Sequence, residues 1–440
     1  MRVLYEFTAF HVLYVTVFLV TVFFVQRFWF RGAWRLIQRA AALRLRQALQ
    51  GVWVLAVCFV IVIVLNSTMA RFLPREGAST WILASGKLWL IVSFLGFAGI
   101  QIVHAADLLT ARALTTIEPR RRERFDPARR EFFRYTGYLV GAAPIVVGTY
   151  GFFRERLEYR IRSVEIPIPA LPSGLDGLRI VQLSDIHLSD FLPLSELRRA
   201  VGMARALRGD IIVVTGDFIT AAHDPLEDCI AELGQLHAPL GVWGCNGNHE
   251  IYAHVEAKAK SLFAQHGMNL LRQESVEIAW HDAKFNLIGV DYQRERPAFG
   301  KMHPMLTLIE PLVRKDIPNI LLSHNPNSFT RAAQMGIELS LAGHTHGGQV
   351  QVEILDHSWN PANYMTDFVA GLYRLPSGAA EKSAEQGDHA VAAGPLGMGP
   401  APSAGRFASI YVNRGLGTIG IPIRIGVPPE ITVITLRSES

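Results

Sequence analysis

Two regimes of hydrophobic patterning divide the chain. Through the first 153 residues the apolar positions run together instead of recurring at intervals. Phe7 to Phe30 is almost unbroken, interrupted by His11, Gln26 and Arg27, and is followed by Val52 to Met69, Trp81 to Val103 and Tyr135 to Phe153. Each run approaches or exceeds the roughly 18–20 residues that cross a bilayer core, so the pattern predicts a bundle of four membrane spans. A cleavable leader fits poorly, because the first run is too long and no small-residue cleavage site follows it.

Beyond the last run the apolar stretches shorten to strand length and stop at polar residues. Arg179 to Leu183 ends at Asp185 and His187, and Asp210 to Thr215 ends at Gly216-Asp217. Gly241 to Cys245 leads to Gly247-Asn248-His249-Glu250, Asn319 to Leu322 to His324, and Glu338 to Ala342 to Gly343-His344-Thr345-His346. Between them, Leu194 to Leu207 and Val255 to His266 have helical periodicity, and Asp224-Pro225 reads as a helix cap with Pro in the first turn. Strand alternating with helix gives an α/β domain with its polar residues along one edge. Further strands are expected over 268–292, at 408–413 and at 431–436. The strand that ends at Asp291 leaves that residue open as a site-supporting or a structural group.

These patterns set the expected organisation: a membrane region over 1–153, a juxtamembrane linker over 154–177, and a catalytic domain over 178–440. Pro and Gly crowd residues 165–177, which read as a linker or an edge strand. Residues 376–406 are rich in Ala, Gly, Pro and Ser and have the composition of a flexible insertion, favoured as a tolerated surface loop over a substrate lid. Trp359, Tyr364, Phe368 and Tyr373 make an aromatic-rich stretch that could pack inward, touch an apolar part of the substrate, or meet the bilayer.

Charge sharpens the division. Half the residues are hydrophobic, and the net charge of +5 splits into +13 over residues 1–163 and −8 over 164–440. The basic balance therefore belongs to the membrane loops, and no nucleic-acid partner is expected of the acidic domain. Five arginines between Arg31 and Arg46 and eight between Arg112 and Arg134 place those two loops in the cytoplasm by the positive-inside rule. The N-terminus and the catalytic domain then lie outside it, in a bacterial plasma membrane. Arg154, Arg156, Arg160 and Arg162 argue the other way and are partly offset by Glu155 and Glu158. His11, Lys87 and His104 sit near span ends, where interfacial placement outweighs haem ligation. Three cysteines, Cys58, Cys229 and Cys245, give no disulfide framework. Neither a P-loop nor a Gly-x-Ser-x-Gly elbow is present.

An Asp and a His separated by one residue at a strand end can both turn toward a metal ion. Taken alone that pair is weak, but five strand ends in series deliver Asp, Asn or His. The order Asp-x-His, Gly-Asp, Gly-Asn-His-Glu, His, Gly-His-Thr-His resembles the calcineurin-like metallophosphoesterase superfamily over about residues 178–353. The run from Tyr411 to Thr418, Pro422-Ile-Arg424 and Pro428-Pro-Glu-Ile431 is similar to a bacterial, membrane-attached branch of it. The resemblance implies a β-sandwich flanked by helices. It implies two divalent ions (Mn, Fe or Zn), with Asp185, His187 and His346 on one and Asn248, His324 and His344 on the other. Asp217 would bridge them, His249 would stay off the metals and protonate the leaving oxygen, and Arg414 would contact phosphate. Two ions about 3.5–4 Å apart can hold the attacking and leaving sides of a displacement at phosphorus. Glu250 stands where many members have Asp. Thr220 stands where purple acid phosphatases have a Tyr ligand, so no tyrosinate-iron colour is expected. The function implied is a membrane-anchored phosphoesterase acting on mono- or diesters, with lipid-linked or envelope substrates suggested by the tether. The alternative is a catalytically inactive scaffold or sensor of the same fold.

Overall fold

The computed structural model describes residues 2–68, 77–117, 127–294, 296–298, 301–303, 305–354, 357–377, 391–392 and 407–439. It divides into two compact units, 1–150 and 151–440.

The first unit is helical: α1 (Arg2–Ile37), α2 (Leu43–Thr68), α3 (Ala78–Ile117) and most of α4 (Pro127–Phe153). All four are long and apolar enough to cross a membrane. Their outward faces carry large apolar side chains such as Leu13, Phe24, Leu55, Ile102 and Leu139, the arrangement expected where lipid is the solvent. Two buried polar groups of α1 and α3 are paired. Gln26 Nε2 donates to Ser93 Oγ at 2.9 Å, and Trp89 Nε1 donates to Gln26 Oε1 at 2.9 Å, tying α1 to α3. Lys87 and His104 lie on the outer surface of α3, while the His11 side chain is outside the described residues.

The second unit is a two-sheet sandwich. Its elements are β1 (Arg160–Ile168), β2 (Arg179–Leu183), α5 (Leu194–Ala206), β3 (Ile211–Thr215), α6 (Leu226–Leu233), β4 (Val242–Cys245), α7 (Asn248–Ala253) and α8 (Glu256–Gln265). Then come β5 (Asn269–Leu270), β6 (Glu274–Trp280), β7 (Ala283–Gly289) and a small hairpin of β8 (Arg296–Ala298) with β9 (Lys301–His303). The chain continues through β10 (Asn319–Leu322), α9 (Phe329–Gln334), β11 (Leu339–Ala342) and a second hairpin of β12 (Val352–Ile354) with β13 (His357–Trp359). It closes with β14 (Gly371–Pro376), β15 (Val391–Ala392), β16 (Phe407–Val412) and β17 (Glu430–Ser438). One sheet runs β1-β17-β2-β3-β4-β5 and the other β15-β14-β16-β11-β10-β7-β6.

The alternation of strand side chains explains the layers. Ile180, Ile211 and Val213 of the first sheet meet Leu287, Ile320, Leu322 and Leu341 of the second in a common core. The intervening residues Val181, Leu183, Ile212 and Val214 face outward onto α5, α6 and α8. Both faces of the central strands are therefore buried, which is why they read as continuous apolar runs. Near the site end, Gln182 Nε2 donates to Ala342 O at 2.9 Å, stitching one sheet to the other.

Of the two readings of the Pro-rich stretch, linker or edge strand, the structure shows an edge strand: β1 is paired in parallel with β17 along its whole length from Arg160↔Glu430 to Ile168↔Ser438. Proline is tolerated there because β1 is an edge strand, with no outer neighbour to receive an N–H. The second compact unit begins at residue 151 and includes this stretch. Asp224 does not cap α6. Its carboxylate instead accepts the N–H groups of Thr220 and Ala221 at 2.9 and 2.7 Å, folding the turn that precedes the helix. The expected insertion over 376–406 lies outside the described residues, apart from 376–377 and β15, which pairs with β14.

Candidate metal centre

The site assembles where β2, β3 and β4 of one sheet and β10 and β11 of the other come to an end. The chain must turn sharply at each end to bring side chains back to one point. Asp185, His187, Asp217, His344 and His346 all take left-handed backbone conformations, with φ of 48°, 49°, 56°, 76° and 52°. Such conformations cost non-glycine residues energy and collect at functional sites. Gly247 and Gly343 permit the closest approaches, since a Cβ on the first would overlap Asp217 and on the second Ser184 and Asp185.

Three groups of ligand-type atoms result, each with its members within 4.8 Å of one another: Asp185, His187 and His346; His187, Asp217 and His249; Asp217, His324 and His344. His324 Nε2 lies 3.0 Å and His187 Nε2 3.4 Å from Asp217 Oδ2, and His346 Nε2 lies 3.4 Å from Asp185 Oδ1. Asp217 thus belongs to two of the groups. The far ring nitrogens are anchored. His324 Nδ1 donates to Thr215 O at 2.6 Å, His346 Nδ1 to Gly417 O at 3.3 Å, and His249 Nδ1 to Thr220 O at 2.6 Å. Each of these rings then presents its Nε2 to the site as a lone pair or a titrating proton, the orientation that metal-ligating histidines require.

The donor set fits cations. His187 Nε2 and His346 Nε2 face each other at 3.2 Å between stacked rings, two ring nitrogens that converge on one point, bridged by a proton or by a cation. Asn248 Oδ1 is buried with no hydrogen-bond partner, an acceptor left for a ligand. The protein alone shows the same demand. Burial opposes charge on His324, yet Asp217 and Asp185 outweigh it and push the imidazole up to about 10. Burial and the neighbouring His324 push His344 down to about 4. A borderline set of imidazole, carboxylate and amide oxygen suits Mn, Fe or Zn.

Two residues of the site were not legible as such. Glu250 is fully buried and accepts N–H groups from Phe218 at 2.8 Å, Asp217 at 2.9 Å and Gly247 at 2.8 Å. It clamps the turn carrying Asp217 to the turn carrying Asn248 and His249. Burial, then the Asp217 charge, push its carboxyl up to about 7. Thr220 Oγ1 lies 3.1 Å from His187 Nδ1, so it orients that ring. The Gly-Asp and Gly-Asn-His-Glu motifs hinted at the first, and the resemblance set the second at a position where some members carry a Tyr ligand, but neither role was read from the sequence.

Asp291 lies behind the site, accepting Asn246 Nδ2 at 2.7 Å and Arg272 Nε at 2.9 Å, and so holds the strand end that leads to Asn248. Arg414 packs beside Gly347 and directs Nε to Glu430 at 3.5 Å. Phe368 and Tyr373 are buried in the outer core of the second sheet, whereas Trp359 and Tyr364 are exposed. Cys229 and Cys245 are buried free thiols.

The model of the family described as calcineurin-like phosphoesterase matches residues 178–348. An uncharacterized metallophosphoesterase of Bacillus subtilis (strain 168), YkuE, is 30% identical over 322 residues, covering 71% of this chain and 99% of that protein. The chain belongs to the calcineurin-like phosphoesterase family. This phosphoesterase is also 31% identical over 302 residues to a transmembrane protein with metallophosphoesterase domain of Danio rerio, covering 66% of the chain and 60% of that relative. It is 26% identical over 349 residues to the UDP-2,3-diacylglucosamine pyrophosphatase LpxG of Chlamydia trachomatis serovar D, covering 68% and 95%. The fold expected of the family is the fold observed, behind four apolar helices. The protein is a metal-dependent hydrolase and a membrane protein.

Proposed function

We propose that the protein is a membrane-tethered phosphoesterase with two divalent ions, hydrolysing phosphate mono- or diesters of lipid-linked or envelope substrates. The observation that carries the reading is the sharing of Asp217 between two ligand groups at one strand edge. Asp185, His187 and His346 would hold one ion, Asn248, His324 and His344 the other, with Asp217 between them. When bound, the ions supply positive charge for the phosphoryl oxygens and acidify a water for attack at phosphorus.

The chain's own groups do the rest. The buried carboxylates and anchored imidazoles keep their geometry without rearrangement, because each is fixed by a backbone partner. His249 is half-buried, has its Nδ1 on Thr220 O, and donates its backbone N–H to Asp217 Oδ1 at 2.9 Å. That fixes its ring at the edge of the site with Nε2 free to give a proton to the leaving oxygen. Arg414, with Nε toward Glu430 at 3.5 Å, would contact phosphate through its terminal nitrogens. A lipid-linked substrate is supported by the four spans and by similarity to a relative named as a lipid-precursor pyrophosphatase. The two Arg-rich loops support a catalytic unit outside the cytoplasm of a bacterial plasma membrane.

The test uses the full chain in detergent with bis-p-nitrophenyl phosphate and p-nitrophenyl phosphate. Mn²⁺-dependent turnover is expected, abolished by chelator and reduced more than about a hundredfold by Asp217→Ala, since even the partners of metal ligands are worth about 10–100-fold. Turnover indifferent to chelator or to Asp217→Ala would overturn the reading.

A further inference from the structure

A band of large apolar side chains beside the site has no role in the chemistry above. Val352, Trp359, Tyr364 and Met365 are 37%, 50%, 81% and 84% exposed. The segment that carries them is firmly held. Asn360 Nδ2 donates to Gly347 O at 2.7 Å, one residue from His346, and Asn360 Oδ1 accepts Ala362 N–H at 2.9 Å. Thr366 Oγ1 donates to Asn327 Oδ1 at 2.6 Å. The turn is thus fastened to the site while its apolar side chains stay uncovered. Large apolar side chains left exposed on a turn held by hydrogen bonds at Asn360 and Thr366 are candidates for an interaction surface.

The hydrogen bonding of the second unit says where that patch belongs. Ile425 N donates to Gln349 O at 2.9 Å and Gln351 N to Ile425 O at 2.8 Å, joining the turn after His346 to the loop of Arg424. Arg424 N in turn donates to Gly151 O at 3.3 Å, and Gly151 packs so closely on Arg424 that a Cβ would overlap it. Gly151 to Phe153 form the last turn of α4, and the apolar span it belongs to runs Pro127–Leu157. Within the second unit, backbone hydrogen bonds therefore run from Gly151 through Arg424 and Ile425 to Gln349 and Gln351, next to Val352, and the Asn360 side chain ties the turn to Gly347.

We propose that Val352, Trp359, Tyr364 and Met365 seat this rim of the catalytic unit in the interfacial layer of the bilayer, so that the site takes phosphoesters at headgroup depth. The substrate part of the inference rests on the phosphoesterase reading. Trp and Tyr are the side chains that favour the membrane–water interface, with an apolar ring and a polar edge. The tether holds the rim at high effective concentration beside that surface, so a small apolar area suffices.

The test is made on the full chain in phosphatidylcholine nanodiscs. A bimane probe is attached through Tyr364→Cys in a Cys58→Ala background, the other two cysteines being buried. A control probe is attached through Asp282→Cys, in the exposed turn between β6 and β7 at the strand ends away from the site. Phosphatidylcholine carrying a nitroxide near the glycerol is expected to quench the probe at 364 several-fold more than the probe at 282. Equal quenching overturns the docking. In parallel, a triple variant, Trp359→Ser with Tyr364→Ser and Met365→Ser, is assayed on two substrates with the same leaving group. Turnover of soluble bis-p-nitrophenyl phosphate is expected to be unchanged, while that of nanodisc-embedded p-nitrophenyl phosphatidate falls severalfold. An equal fall on both substrates overturns the substrate part. If the parent hydrolyses neither, the phosphoesterase reading has failed and the quenching alone decides whether the rim docks.

Discussion

Replacing Glu250 by Ala should damage this enzyme without touching a metal ligand. The carboxylate accepts three backbone N–H groups, from Gly247, Asp217 and Phe218. Its removal leaves three donors in a fully buried place, and each unsatisfied donor costs about 1–3 kcal/mol. One effect works the other way. A carboxyl pushed up to about 7 by burial and by Asp217 is a strained charge at neutral pH, and its loss relieves that repulsion. With water entering the space left behind, the balance is a loss of about 3–4 kcal/mol, or roughly 10 °C in melting temperature for a unit of this size. Glu250→Gln keeps the shape but turns an amide NH₂ toward at least one N–H, and should lose about half as much. The assay is thermal unfolding of the detergent-solubilised chain by intrinsic fluorescence, with calorimetric titration of Mn²⁺. Both affinity and turnover should fall at least about tenfold in the Ala variant, because the turns carrying Asp217 and Asn248 lose their common anchor. A Glu250→Ala protein that melts within about 2 °C of the parent and binds Mn²⁺ as tightly would refute the clamp.

Other outcomes follow from the same geometry. His249→Gln should lower kcat about a hundredfold or more on esters with alkyl leaving groups and far less on p-nitrophenyl esters, whose oxygen needs no proton; equal losses would remove His249 from the leaving-group side. Thr220→Val removes the oxygen that orients His187 and should weaken metal binding about 10–100-fold while leaving the fold intact, read by titration and circular dichroism. Stripping the metal with chelator should lower the melting temperature and restoring Mn²⁺ should recover it, because a site that brings His187 Nε2 within 3.2 Å of His346 Nε2 is stabilised by the cation it binds. An unchanged melting curve would contradict the donor geometry.

Much of the site was legible because strands buried on both faces read as apolar runs, and the residue ending each run is what the sheet edge presents. Asp185, Asp217, Asn248, His324 and His346 could be found that way, before any pairing of strands was known. What stayed hidden depended on partners distant in sequence. The division of the ligands between two sheets is a matter of which strand pairs with which, and β2 and β10 look alike as sequences. β1 was obscured by its prolines, which suit an edge strand and a linker equally. Glu250 is recognised as a clamp only once the turns at 216–218 and 247–250 are seen to touch. The aromatic stretch split for a similar reason: Phe368 and Tyr373 fall against α9 and β16, whereas Trp359 and Tyr364 are exposed.

The parallel pairing of β1 with β17 has a consequence for biosynthesis. β17 is an interior strand, inserted between β1 and β2, and it is made after every other strand of the sandwich. Until residues 430–438 leave the ribosome, β1 has no partner and β2 has an open edge beside the turn that holds Asp185. The metal centre therefore cannot be completed during synthesis of the domain. Nearly the whole of it must wait as an incomplete sheet at the membrane, where an uncovered strand edge invites pairing with other chains. Loss of a few residues from the end of β17 would accordingly be felt first as failed assembly, long before any defect in catalysis could be measured.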